Sequence, residues 1–133
     1  MNTYVADTHS LLWYMSNSPA LGSSARKVFD KAEEGNAVIL ISAISLIEII
    51  YLAEKKKISS EKLQTLINKI KSSINYVIVP VTFEIAVTIQ EIKREKISDM
   101  PDRIIVATAI SSNCKLITKD EAIRTSHIIE TLW

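Results

Sequence analysis

Apolar residues in this chain gather into short unbroken runs, separated by longer stretches where they recur every three or four positions. Thr3 to Ala6, Ala37-Val-Ile-Leu-Ile41, Tyr76 to Val79 and Lys115-Leu-Ile-Thr are the short runs. A run apolar at consecutive positions predicts a strand covered on both faces, as in a parallel sheet. Between them, Ala25, Val28, Phe29 and Ala32 share one helical face, as do Leu63, Leu66, Ile67 and Ile70. Ile85, Ala86, Ile89 and Ile92 form a third such stripe. This spacing is the signature of amphipathic helices.

Caps and breakers set the limits. A short helix spans Leu11 to Met15, then Ser16-Asn-Ser-Pro-Ala-Leu-Gly22 reads as a loop. Ser23 or Ser24 caps a helix to about Glu34, and Gly35 stops it. Ser42 to Lys57 is a helix ending on three lysines, and Ser59 or Ser60 caps the next. Pro80 ends the third strand, and Thr82 caps a helix through about Arg94. A polar linker, Glu95 to Ser98, leads to a helix that opens at Asp99 and ends near Asn113. A turn or short helix follows Asp120, and His127 to Leu132 reads as an edge strand.

Strands alternating with helices predict an α/β fold, a mainly parallel sheet with helices on both faces. In such sheets sites form beyond the C-terminal ends of the strands, where strand order reverses. Asp7 and Asp120 fall at such ends.

With 133 residues the chain is expected to be one domain. Hydrophobic residues at 47% and charged residues at 23% are ordinary for a soluble protein. Sixteen basic against fifteen acidic residues leave a net charge of +1, so only a local basic surface can attract phosphate. Cys114 is the single cysteine and reads as a small buried hydrophobe. The start lacks the basic and apolar regions of a signal peptide. Ala37 to Ala53 is short for a membrane span and carries Glu48, so a cytoplasmic location is expected.

The acids then need explaining. Asp7 can cap the helix after it, and Glu48 can close a capping box with Ser45. Glu48 also sits among Leu46, Ile47, Ile49 and Ile50, where an unpaired charge is costly. Asp99 is a natural cap before Met100-Pro101, Asp102 suits the first turn, and Asp120 can begin a turn. Together, Asp7, Glu48, Asp102 and Asp120 can converge at one end of the sheet. Clustered carboxylates repel unless a cation balances them. All-oxygen ligation suits Mg²⁺ or Mn²⁺, and no His/Cys spacing suits zinc. His9 reads as a surface or supporting residue, and His127 as part of the edge strand.

Val5-Ala-Asp-Thr-His-Ser-Leu-Leu-Trp13, Ile41-Ser-Ala-Ile-Ser-Leu-Ile-Glu-Ile49, Asp99-Met-Pro-Asp-Arg-Ile-Ile-Val-Ala-Thr-Ala109 and Leu116-Ile-Thr-Lys-Asp120 resemble the four motifs of PIN-domain ribonucleases, most closely the VapC toxin type. The resemblance spans nearly the whole chain. It implies a PIN-like three-layer α/β/α sandwich and a metal-dependent ribonuclease from a toxin–antitoxin pair. Metal-binding acids would be Asp7, Glu48, Asp102 and Asp120, with Asp99 accessory and Thr8 and Thr118 as supporting hydroxyls. It also implies an RNA substrate such as transfer RNA, a VapB-like antitoxin and a homodimer. Met100 departs from the usual pattern between the two acids and is expected to alter packing, not ligation.

Basic residues must hold the RNA beside such a site; Lys55 to Lys57, Arg94, Lys96, Arg103, Lys119 and Arg124 are available. Aromatic residues are only 6%, with no stacking platform in view, and Trp13 and Tyr14 read as core or interface. Two other enzyme or signalling classes fit less well. A dehalogenase-type phosphatase wants a second Asp where His9 stands, and a receiver module wants an Asp where Ile41-Ser42 ends its strand. A PIN-like module that binds without cutting remains the alternative within the same fold.

Overall fold

The computed structural model describes residues 2–133. Its elements run β1 (Asn2–Ala6), α1 (Thr8–Met15), α2 (Ser23–Glu33), β2 (Ala37–Ser42), α3 (Ala43–Glu54), α4 (Ser60–Ser72) and β3 (Tyr76–Val79). Then come α5 (Phe83–Thr88), a 3₁₀ turn (Ile89–Glu91), α6 (Met100–Ser112), β4 (Lys115–Ile117), α7 (Glu121–Ser126) and β5 (Thr131–Leu132). All strand pairs are parallel, in the order β3-β2-β1-β4-β5.

Strand β1 lies in the middle, with Ala6 opposite both Ile41 of β2 and Ile117 of β4. The chain builds outward from β1 to β3, then returns to add β4 and β5 on the other side. The reversal leaves a crevice between the C-terminal ends of β1 and β4, where α/β sheets place their ligands.

Alternate residues of each strand feed two separate cores. Ala6, Ala37, Ile39, Ile41 and Ile117 pack with Leu11, Phe29, Ile49 and Leu66 from α1 to α4. Val5 and Leu116 pack on the other face with Ile85, Ile105, Val106 and Ile123 from α5, α6 and α7. This explains why the strand sequences are apolar at consecutive positions, and it gives the three-layer α/β/α sandwich expected.

Several boundaries differ from those expected. Gly22, not a serine, is the N-cap of α2, and it makes no side-chain cap hydrogen bond. The helix from Thr82 stops at Thr88, short of Arg94. Beyond it, Arg103 Nη2 of α6 donates to the carbonyls of Ile89 (3.1 Å) and Ile92 (2.6 Å), so these carbonyls are satisfied without further helix. Arg103 is therefore withdrawn from the pool of basic groups open to RNA. Ile97, inside the supposed polar linker, is buried in the second core. His127 ends α7 in a left-handed conformation (φ 56°) and is not part of the edge strand, which is only two residues long.

Replacing Arg103 with Met keeps the stem but strands those two carbonyls. Thermal melting should fall by roughly 5–10 °C, the effect of losing charged hydrogen bonds worth about 2 kcal/mol. An unchanged melting temperature would mean that these bonds contribute nothing to stability.

Candidate active site

Strand β1 delivers Asp7 directly into the crevice. Its backbone N–H donates to the carbonyl of Ile117 (3.1 Å), extending the β1–β4 pairing by one residue. Its backbone is extended (φ −76°, ψ 171°), so the side chain caps α1 and accepts from the Ser10 N–H at 2.9 Å. The same oxygen is in close contact with Ser10 Oγ, which also lies 3.1 Å from the carbonyl of Ile117. The other oxygen accepts from Thr118 Oγ1 at 2.5 Å. With Asp7 only 9% exposed, its carboxylate is held in one orientation from both sides. Capping and cavity lining coexist at this residue.

Glu48 reaches the same place from α3. The expected capping box with Ser45 is not formed. Ser42 caps α3 by accepting from the Ile44 N–H (3.3 Å), and Ser45 Oγ is buried without a hydrogen-bond partner among the described residues. Glu48 Oε1 instead accepts from Thr8 Oγ1 at 2.6 Å, tying α3 to the start of α1.

The remaining acids stand at helix starts. Asp99 caps α6 by accepting from the Asp102 N–H (3.0 Å), and Asp102 lies in that first turn beside Pro101. Asp120 caps α7 through the Ile123 N–H (2.9 Å), while its own N–H donates to Thr118 Oγ1 (3.0 Å). Thr118 is fully buried. Its hydroxyl thus donates to Asp7 and accepts from the backbone of Asp120, coupling two of the acids.

One cavity of about 580 Å³ is lined by Asp7, Glu48, Asp99, Asp102 and Asp120, together with Thr8, His9, Trp13 and Lys119. The five acids face a single lysine. Burial first, then the negative charges of Asp99, Asp120, Glu48 and Asp7, push the Asp102 carboxyl from 3.8 up to about 7. A carboxyl in this position is ready to exchange its proton for a cation.

The donor set fits a hard divalent ion. Every principal donor is a carboxylate oxygen, and neither cysteine nor a histidine pair is at hand. No three acidic, histidine or cysteine side chains among the described residues form a ready-made ligand cage.

Sequence reasoning missed Ser10, whose role needs the β1–β4 pairing to be seen, although a serine three residues after a capping acid is a signal. It also passed over Trp13 as a lining residue. Trp13 packs near His9 (ring centroids 5.6 Å) and edge-on to Trp133 (5.7 Å), with Lys119 Nζ 5.8 Å from its ring centre. Tyr14, by contrast, stacks on Phe29 at 4.6 Å in the first core. Met100 is 63% exposed, so its departure from the family pattern disturbs no buried packing.

Thr118→Val keeps the shape of the side chain while removing both of its hydrogen bonds. Metal affinity, read by calorimetric titration, should drop about 10- to 100-fold, as when an orienting partner of a ligand is lost. Wild-type affinity in the variant would show that Asp7 needs no such support.

Carboxylates carried by β1, α3, α6 and the end of β4 thus line one cavity at the switch point of a parallel α/β sheet. Residues 4–126 match the family model of the PIN domain, and the chain belongs to that family. Ribonuclease VapC22 of Mycobacterium tuberculosis is 29% identical over 129 residues, which cover 93% of this chain and 92% of that protein. The fold is shared with DNA-bound VapBC of Salmonella typhimurium (TM-score 0.75, 20% identity, covering 99% and 98% of the two chains). It is likewise shared with VapBC2 of Rickettsia felis bound to a promoter DNA fragment (TM-score 0.73, 20% identity, 98% and 97%). The phosphatase and receiver readings are set aside by this family membership.

Proposed function

We propose that this chain is an Mg²⁺- or Mn²⁺-dependent endoribonuclease and the toxin of a toxin–antitoxin pair. The observation that carries this reading is the convergence of five carboxylates on one cavity at the sheet's switch point. The name of the mycobacterial relative supports RNA as the substrate.

Asp7 and Asp102 are the principal metal-holding acids in this reading, Glu48 and Asp120 complete the set, and Asp99 is accessory. Bound there, the ion supplies positive charge to the scissile phosphate and eases deprotonation of the attacking water. Ser10 and Thr118 fix the Asp7 carboxylate, and Thr8 fixes one oxygen of Glu48. Products with a 5′-phosphate and a 3′-hydroxyl are expected, with structured RNA such as transfer RNA as the target class.

The purified chain should cut total bacterial RNA in Mg²⁺ and stop in EDTA. Hydrolysis of a phosphomonoester with the RNA left intact would overturn the ribonuclease reading. RNA bound but uncut would favour a non-catalytic PIN-like module.

A partner is also part of the proposal. Ile47 (47% exposed) and Tyr51 (58%) leave an apolar strip on α3. With Ile44, Leu52, Met100 and Pro101 it forms a groove that shares Thr8, His9 and Glu48 with the acidic cavity. On α1, by contrast, Leu11 is fully buried and Leu12, Trp13 and Met15 pack on the first core. A VapB-like antitoxin and a second copy of the chain are the proposed occupants of such exposed apolar surface. Among the described residues no helix is long and apolar enough to cross a membrane, which accords with a proposed cytoplasmic site of action. Sedimentation at micromolar concentration should give a dimer; monomer alone would count against the homodimer.

A further inference from the structure

We propose that a second cavity, rimmed by Lys56, Lys57 and Lys62, carries the backbone of single-stranded RNA on its way to the acidic site. This assignment rests on the ribonuclease reading and adds where the substrate lies. The cavity measures about 790 Å³ and has no acid in its lining. Leu12, Trp13, Ala53 and Ile58 give it an apolar floor.

Trp13 lines both cavities, so one side chain divides five carboxylates from three lysines. From Asp7, the cap of α1, to Trp13 the helix rises about 9 Å. A stacked strand spaced about 3.4 Å per nucleotide covers that distance in roughly two to three phosphates. The acidic site repels RNA, so the energy that holds a substrate must come from beside it. The sign change across Trp13 supplies it next door.

Lys56, Lys57 and Lys62 are exposed, and the ion pairs among the described residues are Lys69–Glu33 and Lys115–Glu130. Lys62 Nζ donates to Ser16 Oγ (3.2 Å), another lining residue, which draws its charge across the mouth. At the end of α3, the N–H groups of Lys56 and Lys57 close on Ala53 (3.0 Å) and Leu52 (2.9 Å). Lys56 there has φ 59°, a conformation glycine would take without strain. An apolar floor for bases and ribose under a lysine rim for phosphates is the chemistry single strands require. An acidic protein segment would use the lysines but gains nothing from contact with the acid cavity.

The test compares wild type with K56Q/K57Q/K62Q and with a control, K27Q/K31Q/K71Q, whose lysines are exposed and line neither cavity. Binding of a single-stranded RNA oligomer is measured in EDTA by fluorescence anisotropy over a range of KCl. The first variant should lose roughly two from the slope of log affinity against log salt, three phosphate contacts at about 0.7 each. Its affinity at about 0.1 M salt should fall at least roughly tenfold. In Mg²⁺ its KM for RNA should rise while kcat holds. Slopes equal to wild type, or an equal loss in the control, would overturn the assignment and leave the lysines to an acidic protein. A shifted slope in a protein that never cuts RNA would uphold the track and fail the ribonuclease reading. Cutting with unshifted slopes would do the reverse.

Discussion

Asp7→Asn will fold and will cut RNA at least about a hundredfold more slowly, comparable to removing one strong electrostatic contact from a transition state. The amide oxygen can still accept from the Ser10 N–H, so the cap of α1 survives. The amide nitrogen then faces Thr118 Oγ1, which at present donates to Asp7 and accepts from the Asp120 N–H. That hydroxyl must give up its donation, at a cost of about 1 kcal/mol. Removing a negative charge from the acid cluster offsets much of this. The melting temperature in EDTA should therefore stay close to wild type, while the stabilisation that Mn²⁺ gives the wild-type protein disappears. If Asp7 is only a cap, the variant will bind Mn²⁺ and cut RNA as before. Melts with and without Mn²⁺, run beside a cleavage assay, separate the two cases.

Asp102→Asn will reverse its effect on stability when metal is added. In metal-free protein the Asp102 carboxyl holds its proton up to about pH 7, against an ordinary 3.8. The folded state thus binds this proton more tightly than the unfolded chain. The resulting stabilisation is complete below the unfolded pKa and is lost as pH rises through the folded one. In EDTA, wild type should melt lower at about pH 8 than at about pH 5, as far as this group decides. Asp102 is partly open to solvent, so screening leaves about 1–2 kcal/mol of the effect. The lost attraction of a first-turn acid to the helix dipole subtracts only a few tenths, about 0.3 kcal/mol or somewhat more. Asp102→Asn should then melt roughly 3–8 °C above wild type at the higher pH, with a clearly smaller gap at the lower. Mg²⁺ should raise the wild-type protein past the variant, which has lost a principal donor. Parallel pH profiles for the two proteins in EDTA would refute the electrostatic part of the account.

Much of this was legible in the sequence because the fold leaves direct marks on composition. Ala37 to Ile41 feeds both cores, so every position had to be apolar, and the parallel sheet followed. Asp7, Asp99, Asp102 and Asp120 were legible because each stands where a strand ends or a helix begins, whereas Glu48 lies within α3. The same geometry aims their side chains at one crevice. What escaped depends on partners distant in sequence. Nothing near Thr88 announces that Arg103 will take the carbonyls that a longer helix would have used. Ser45 has the right spacing to Glu48 for a capping box, yet the chain enters α3 one turn earlier, at Ser42. Ser10 and Thr118 act on Asp7 only because β1 and β4 are neighbours. Trp13 looked like core because α1 is mostly apolar, and its position between an acidic and a basic cavity has no local signature. His127 fell in an apolar run that reads as strand, but its left-handed backbone ends α7 instead.

The central claim is that the five acids form a cation site, and anomalous diffraction from crystals soaked in Mn²⁺ tests it most directly. The account predicts a manganese peak in the acidic cavity, within ligand distance of Asp7 and Asp102, and its loss in Asp7→Asn crystals. A cavity open to the soak with no peak, or a peak bound elsewhere on the chain, would contradict it.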